Sequence, residues 1–310
     1  MKILLLTCFS FLFVGSNLCR NNMQNSETSG KKIALLISVE DTDLKSYSNT
    51  ATQDGDYYRD NIEDALEDKD FDDIEKLSNP TGEEFIKILK KKIQSLKKDD
   101  LFVFYFYGHG GQKPDISGDE KDDDKKDETL VLKDREVLDD EIYEILNSTK
   151  CNAKVVFIIE ACNSGSIQKM VVRQIKTPKL YEGLFQEYKG NDKSWKINKD
   201  LNLENLKIEG NIIYTDSLNV TLAETHISLK DKRKKPNLDI IYIGATSDGN
   251  NIPYNAFNNV LVETFEEKYI DSYIEFSNSL IKLMDEYHDI FPTIDFSWAS
   301  KSFLQSEPFK

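Results

Sequence analysis

The sequence predicts an α/β sandwich in which helices cover both faces of a mostly parallel central sheet. Four short apolar runs are typical of strands that are buried on both faces. Segments with apolar residues at helical spacing alternate with these runs. This alternation favours parallel pairing, because parallel neighbours need a long crossover connection. The predicted strands are Lys32–Val39, Leu101–Tyr107, Ala153–Ile159 and Ile240–Ala245.

The predicted helices fill the connections between these strands. Apolar residues at helical spacing lie on one face of Tyr57–Glu67, which indicates a first helix. Thr81 and Glu84 have the spacing of a capping box and begin a second helix that runs to about Lys97. The chain is therefore expected to begin strand, helix, helix, strand. Three later helices are predicted over Asp139–Asn147, Asn258–Tyr269 and Ser272–Asp289, whereas Phe291–Lys310 has no strong period.

The first residues have the pattern of a secretory signal peptide. A charged start, Met1-Lys2, precedes the apolar stretch Ile3–Val14 and the small residues Gly15-Ser16. A run of roughly twelve apolar residues is too short to cross a bilayer, which needs ~20. We therefore expect residues 1–19 to be removed and residues 20–310 to form one soluble domain without membrane contact. Its expected destination is the cell exterior or an endomembrane or vacuolar lumen.

The composition of the 310 residues limits the classes of partner. A net charge of −15 and an isoelectric point near 4.8 argue against nucleic acid, because phosphate binding needs clustered cations. Removal of the signal peptide leaves Cys151 and Cys162 as the certain thiols, which are too few for a disulfide scaffold. A polar insertion at about residues 170–236 interrupts the pattern and is predicted to be exposed.

A histidine and a cysteine follow two of the predicted strands. Gly108-His109-Gly110 comes directly after one strand, and Cys162 lies in a glycine-containing loop after the next. Open α/β sheets place their ligand sites at such strand ends. A thiol attacks a carbonyl as the thiolate, so His109 would serve as the base for Cys162 and as the acid for the leaving amine. The N–H groups of Gly110 and Cys162 would form the oxyanion hole.

These segments resemble the caspase-like cysteine peptidases and, among them, most closely the metacaspases. Phe104–Gln112 is similar to the family's histidine segment, and Val155–Ser166 to its nucleophile strand and loop. The separation of 162 − 109 = 53 residues is similar to the caspase spacing of about 50. The resemblance extends over roughly Lys32–Lys310 without the insertion, and it matches Pro308-Phe309 to a short terminal strand. It implies a caspase-like fold and a monomeric endopeptidase that cuts peptide or protein substrates after Arg or Lys.

The resemblance also implies an acidic S1 pocket, which receives the substrate side chain before the cut. Glu160 stands two positions before the nucleophile, where metacaspases usually have Asp, and it keeps the negative charge that a basic side chain would meet. The second acid would come from the first helix region. Asp56 and Asp60 are both candidates for that position, and each is equally compatible with a solvated carboxylate.

A further set of carboxylates resembles the family's calcium ligands. Asp127, Asp139 and Asp140 match these positions, and oxygen-only clusters suit Ca²⁺. The fourth expected acid is replaced by Lys169. Asp139 and Asp140 are also compatible with the N-cap and first turn of the following helix, where negative charge is favourable. The chemistry itself requires no cofactor, and calcium would act as an activator.

Two alternatives stay open. The segment Glu160-Ala161-Cys162 is also similar to legumain, so a legumain-like asparaginyl endopeptidase or transpeptidase is a second interpretation. A catalytically silent binding protein with the caspase fold is a third, and the presence of both His109 and Cys162 argues against it. If the enzyme prefers basic residues, the insertion offers four sites for self-cleavage. These sites are Lys169, Arg173, Lys176 and Lys179.

Overall fold

A computed structural model describes eleven segments of the chain, and every structural statement below concerns them. They are residues 30–47, 49–71, 73–114, 126–161, 185–187, 195–197, 206–209, 212–215, 235–245, 256–288 and 292–310. The predicted signal peptide, Cys162 and most of the insertion lie outside these segments.

The secondary structure alternates between strands and helices. The strands are β1 (Lys32–Ser38), β2 (Asp73–Ser78), β3 (Leu101–Tyr107), β4 (Gly110–Pro114), β5 (Lys126–Val131), β6 (Glu136–Leu138), β7 (Ala153–Glu160), β8 (Phe185–Glu187), β9 (Trp195–Ile197), β10 (Leu206–Glu209), β11 (Ile212–Thr215), β12 (Leu238–Gly244) and β13 (Thr293–Trp298). The helices are α1 (Gly55–Glu67), α2 (Gly82–Ser95), α3 (Asp139–Asn147), α4 (Ala256–Glu266), α5 (Tyr273–His288) and α6 (Lys301–Leu304), with a 3₁₀ turn at Asn49–Thr52.

The central sheet has six strands in the order β13-β12-β7-β3-β1-β2. Neighbours from β12 to β2 are parallel, and β13 is antiparallel to β12. The inner strands β1, β3, β7 and β12 are buried almost throughout, which explains their uninterrupted apolar sequences. The predicted fold class, a mostly parallel sheet inside an α/β sandwich, is confirmed.

Alternate residues of the sheet pack against different helices. On one face, Leu36 and Tyr105 belong to a core with α1, α4 and α5; on the other, Leu35 and Phe104 pack with α2 and α3. Because successive strand residues point to opposite faces, one apolar run supplies both cores. At the N-terminus of α2 the Thr81 hydroxyl accepts a hydrogen bond from Glu84 N–H at 3.2 Å, as its sequence predicts.

The expected order strand, helix, helix, strand is wrong at one position. Strand β2 lies between the two helices and forms the edge of the sheet, paired with β1. Its sequence, DIEKLS, has only two apolar residues, Ile74 and Leu77, and so lacks the continuous apolar run of the inner strands. Lys92 of α2 forms ion pairs with Asp73 and Glu75 on this strand at 2.9 and 3.2 Å.

The described segments also contain smaller antiparallel units that the sequence does not predict. Strands β4, β5 and β6 form a three-stranded sheet directly after β3. The pairs β8–β9 and β10–β11 lie within the insertion. Within the described residues, no helix combines the length and the apolar character that crossing a bilayer requires.

The expectation for the end of the sequence is also wrong. Pro308-Phe309 forms no strand; Phe309 has a positive φ of 61° in a turn, and its buried ring packs against Phe265 and Tyr273. The last strand is β13, in which polar residues alternate with Ile294, Phe296 and Trp298. Helix α6 follows it. Burial of an aromatic ring in the α4–α5 core, not strand pairing, therefore fixes Phe309.

Candidate active site

The carboxyl ends of β3 and β7 lie side by side. Tyr107 is in register with Glu160, and Gly108 N–H donates to the Glu160 carbonyl oxygen at 3.2 Å. Neighbouring strands of a sheet are about 4.8 Å apart. His109 stands two positions after Tyr107, and Cys162 stands two positions after Glu160. Cys162 lies outside the described residues, so its pairing with His109 stays a prediction.

The main chain around the half-buried His109 is held by β5. Val131 N–H donates to the His109 carbonyl oxygen at 3.0 Å, and Gly110 is in register with Leu130. Antiparallel ladders alternate between hydrogen-bonded and non-hydrogen-bonded pairs, so the Gly110 N–H points away from β5. An oxyanion hole needs an N–H that is not used within a ladder, and Gly110 stays a candidate for that role.

The ring of Tyr47 packs against the imidazole of His109. Tyr47 lies in the loop between β1 and α1, and the two ring centroids are 5.3 Å apart at an interplanar angle of 36°. Burial, together with the charge and hydrogen bond of Glu136, raises the pKa of Tyr47 to about 12. The phenol therefore keeps its proton at neutral pH and donates a hydrogen bond to the Glu136 carboxylate.

The Glu160 side chain, a predicted S1 acid, points into the core beside α1 and α4. Its residue is 5% exposed, and its two carboxylate oxygens accept hydrogen bonds from Tyr105 O–H at 2.7 Å and Asn258 N–H at 3.2 Å. Asn258 also donates to the Tyr58 carbonyl oxygen at 2.9 Å. Burial raises the pKa of Glu160 to about 7, although the two hydrogen bonds act in the opposite direction. The carboxyl thus connects β7, β3 and α4.

Asp56 and Asp60, the other S1 candidates, lie on either side of Arg59. The guanidinium of Arg59 contacts one carboxylate oxygen of each acid at 2.8 Å. The Arg59 side chain is 7% exposed, whereas those of Asp56 and Asp60 are 47% and 46% exposed. Asp56 also accepts hydrogen bonds from Ser38 Oγ and Ser78 Oγ at the ends of β1 and β2. The cluster therefore combines a buried cation with two half-exposed carboxylates at the carboxyl edge of the sheet.

The pKa of Asp60 shows how this pairing acts. Burial raises it, but hydrogen bonds from Arg59 and Lys76, together with their charges, bring the pKa below its ordinary value. The carboxylate form therefore predominates at neutral pH. A basic substrate side chain near Asp60 would meet a carboxylate that already has two cationic partners.

The predicted calcium ligands lie beside the β4–β6 sheet. Asp127 of β5 is 2% exposed, and Asp139, the first residue of α3, is 1% exposed. Asp139 and Asp140 occupy the first helical turn, where the helix dipole favours their charge, and Leu138 is the N-cap residue. Among the described residues, no group of three or more possible ligands is gathered closely enough to hold a metal ion. The described part of the chain alone therefore does not complete a calcium site.

Comparison with known proteins agrees with this architecture. Residues 34–171 match the family model for the metacaspase peptidase C14 domain. Metacaspase-1A of Aspergillus terreus is 31% identical over 47% of this chain, and metacaspase-1 of Coccidioides immitis is 28% identical over 46%. The matched regions cover 38% and 33% of those two proteins, so the chain spans less than half the length of these curated relatives.

Solved structures extend the similarity of fold beyond residue 171. A Geobacter sulfurreducens protein superposes with a TM-score of 0.60 at 21% identity, covering 90% of this chain and 98% of its own. Caspase-1 of Spodoptera frugiperda gives 0.50 at 13% identity, with 88% of both chains covered. The protein has the caspase-like fold. Within this fold, residues 34–171 are similar to the metacaspase peptidase domain, which confirms the resemblance seen in the sequence.

Three residues of the site were not predicted from the sequence. Arg59 is a buried cation next to the apolar positions of α1, and nothing in the helical pattern distinguishes it from a solvated residue. Tyr47 is a single aromatic residue in a polar loop, and such a residue can indicate a packing contact of the loop. Gly111 is the second glycine of a pair, and a Cβ there would lie 2.7 Å from Thr129 Oγ1. A consecutive glycine pair after a strand indicates such close approach.

Proposed function

We propose that this protein is a cysteine endopeptidase that hydrolyses peptide bonds through a dyad of His109 and Cys162. One observation carries the proposal. In the register of β3 and β7, Tyr107 pairs with Glu160, and each proposed catalytic residue follows two positions later on its own chain segment. The similarity to metacaspases over residues 34–171 supports the same assignment.

The proposed chemistry follows from the types of group involved. His109 takes the proton of the Cys162 thiol, and the thiolate attacks the carbonyl carbon of the substrate. The N–H groups of Gly110 and Cys162 stabilise the oxyanion of the tetrahedral intermediate. The protonated imidazole then gives its proton to the leaving amine, and water hydrolyses the thioester by the reverse sequence.

For specificity we propose a basic residue, Arg or Lys, before the cut. The support is the acidity of the region: Asp56, Asp60 and Glu160 lie at the carboxyl edge of the sheet together with one buried cation, Arg59. Asp56 and Asp60 keep about half of their side-chain surface accessible, so they are the acids that a substrate can reach. Glu160 is buried and acts through the position of β7.

The Arg59 cluster also favours a second candidate specificity, cleavage after Asn as in legumain-like enzymes. The positive charge of the guanidinium weakens the attraction of Asp56 and Asp60 for a basic side chain, whereas a neutral amide can still donate a hydrogen bond to a carboxylate. This alternative predicts cleavage after Asn and little cleavage after Arg or Lys.

Calcium activation and self-cleavage in the insertion complete the proposal. The buried Asp127 and Asp139 provide oxygen donors of the type that Ca²⁺ prefers, although no step of the chemistry above uses the ion. Adding and chelating calcium during the assay tests the first point. Combined substitution of Lys169, Arg173, Lys176 and Lys179 tests the second, because self-processing predicts slower activation of that variant.

The test of the function is hydrolysis of fluorogenic peptides that differ only in the residue before the cut, which is Arg, Lys, Asn or Asp. We expect cleavage after Arg and Lys that is lost in Cys162→Ala and falls at least about 10³-fold in His109→Gln. Cys151→Ala is the matched control, since it removes the other predicted mature thiol, and it should leave the rate unchanged. Cleavage only after Asn would support the second candidate, and cleavage of none of the four peptides would contradict the proposed function.

A further inference from the structure

A chain of contacts runs from the His109 ring to a buried carboxylate. The imidazole packs on the ring of Tyr47, and the Tyr47 hydroxyl is hydrogen-bonded to Glu136. The Glu136 side chain is 13% exposed, accepts a hydrogen bond from Thr129 Oγ1 at 2.9 Å, and lies 3.8 Å from Lys113 Nζ. The phenol of Tyr47 is therefore fixed at its outer end by a carboxylate that is itself fixed by β5 and β4.

The loop that carries Tyr47 is fastened to the same small sheet. Thr42 Oγ1 donates to the Leu132 carbonyl oxygen at 2.9 Å, and Asp43 N–H donates to the Lys133 carbonyl oxygen at 2.8 Å. Lys133 Nζ also contacts Asp43 at 3.2 Å. Backbone and side-chain bonds thus hold this loop at several points next to β5, so Tyr47 occupies a fixed position.

Gly111 leaves the space that this arrangement needs. A Cβ at Gly111 would lie 2.7 Å from Thr129 Oγ1 and still closer to the Tyr47 hydroxyl, at distances that real Cβ atoms do not reach. The main chain two residues after His109 therefore approaches the Tyr47–Glu136 pair as closely as only glycine permits. Any residue other than glycine at position 111 would therefore displace the Tyr47 hydroxyl or the Thr129 side chain.

We infer that Tyr47 is a positioning residue for His109 and that Glu136 acts through it. The inference rests on the proposed function, in which His109 is the base. An imidazole can transfer a proton efficiently only when its nitrogens stay within hydrogen-bond reach of the reacting groups. The bond from Val131 N–H to the His109 carbonyl oxygen fixes the main chain, and rotation about two side-chain bonds sets the orientation of the imidazole. The Tyr47 ring forms a wall on one side of the imidazole and restricts that rotation.

The experiment compares Tyr47→Leu, which removes the ring, with Tyr47→Phe and Glu136→Gln, which keep it and remove the hydroxyl–carboxylate bond. Tyr47→Leu should lower kcat about 10- to 100-fold, because a displaced catalytic group costs rate, and leave KM within about twofold. The two milder variants should lower kcat by smaller factors. Tyr269→Leu is the matched control, because Tyr269 is 92% exposed, and it should match the parent enzyme.

A second readout does not depend on activity. The imidazole ring of His109 gives long-range ¹H–¹⁵N correlations that His109→Gln identifies among the three histidines. These signals should shift in Tyr47→Leu, because the tyrosine ring current is lost, and stay in place in Tyr269→Leu. If Tyr47→Leu leaves both the His109 signals and kcat unchanged, the positioning role is wrong.

The two readouts separate this inference from the proposed function. An inactive parent protein whose His109 signals respond to Tyr47→Leu would contradict the peptidase function and retain the packing of Tyr47 on His109. In that case the positioning role for catalysis is overturned as well. An active parent whose kcat is unaffected by Tyr47→Leu would overturn the positioning role and keep the peptidase.

Discussion

Two groups of carboxylates at the same edge of the sheet are stabilised in opposite ways. Glu160 is buried, and its hydrogen-bond donors, Tyr105 and Asn258, are neutral. Asp56 and Asp60 remain about half exposed and share the buried cation Arg59. Burial raises the pKa of Glu160, so a fraction of this carboxyl keeps its proton near neutral pH. Asp60 has a lowered pKa beside its cationic partners and stays ionised, and both half-exposed carboxylates remain accessible from solvent.

This difference in burial indicates distinct roles for Glu160, Asp56 and Asp60, which the sequence analysis assigned to one S1 pocket. Glu160 connects the strand that leads to Cys162 with β3 and α4, so it contributes mainly to the position of that strand. Asp56 and Asp60 supply charge at the protein surface, and Arg59 determines how much of that charge is available. Substitutions in the two groups should therefore differ in size and in pH dependence.

The largest effect is expected from Arg59→Met. This change leaves Asp56 and Asp60 without their shared partner and removes the hydrogen bonds from Arg59 to Ser38 and Ser78 at 3.1 and 2.6 Å. Breaking a buried ion pair on one side costs about 3 to 5 kcal/mol, and the exposure of the two acids favours the lower end of that range. Urea unfolding would measure the loss.

Lys76→Met is the matched control for Arg59→Met. Lys76 also pairs with Asp60, but its side chain is 33% exposed, so its loss should cost less than about 1 kcal/mol. If the two variants lose the same free energy of unfolding, burial does not distinguish Arg59 from Lys76, and the contrast between buried and exposed charges is wrong.

The next effect is a pH dependence that only Glu160 should show. The pKa of Glu160 rises from 4.5 in the unfolded chain to about 7 in the folded protein. Its contribution to stability is fully present below pH 4.5 and is lost as the pH rises to about 7, because over that range the unfolded chain has released the proton that the folded state still holds. Glu160→Gln cannot titrate, so it should gain about 3 kcal/mol on the parent protein between pH 4.5 and 8.

The free energy of unfolding of both proteins, measured by urea titration across this range, checks the prediction. Asp60→Asn is the control, because the lowered pKa of Asp60 places its titration below the window. A constant difference between Glu160→Gln and the parent protein would show that Glu160 is not a buried, proton-retaining group.

The smallest effect is expected from Tyr105→Phe. The change removes the 2.7 Å hydrogen bond to Glu160 and the 3.2 Å bond that the hydroxyl accepts from the Asn258 side chain, and it keeps the packing of the ring. Loss of one partner of a buried acceptor costs about 1 to 3 kcal/mol, and the remaining bond from Asn258 favours about 1 to 2. The loss should be larger at pH 8 than at pH 5, since the ionised carboxyl depends more on its donors. A pH-independent loss would contradict the dependence of the ionised Glu160 carboxyl on the Tyr105 hydroxyl.

The inner sheet was predictable because β1, β3, β7 and β12 carry uninterrupted apolar residues. The edge strand β2 was not, since only two of its six residues are apolar. Strand β13 has a short alternating pattern, Ile294, Phe296 and Trp298, but it lies in a segment that has no strong period overall. Pairing with β1 and with β12 places these two strands in the sheet.

The candidate site divides in the same way. The placement of His109 and Glu160 follows from strand ends, which the sequence marks clearly. The role of Arg59 depends on the register of β2 with β1, which brings Ser78 beside Ser38. The contact of Tyr47 with His109 depends on the path of an irregular loop. Neither register nor loop path has a periodic signal in the sequence, so these contacts required the structure.

The proposed dyad is tested most directly by the reactivity of Cys162 toward iodoacetamide near pH 7, measured by mass spectrometry in the same sample as that of Cys151. A thiol paired with an imidazole is enriched in the reactive thiolate. We predict that Cys162 reacts at least about 10-fold faster than Cys151, as expected for an activated thiol, and that the excess disappears in His109→Gln. Equal rates for the two thiols, or an excess that persists in His109→Gln, would contradict the dyad.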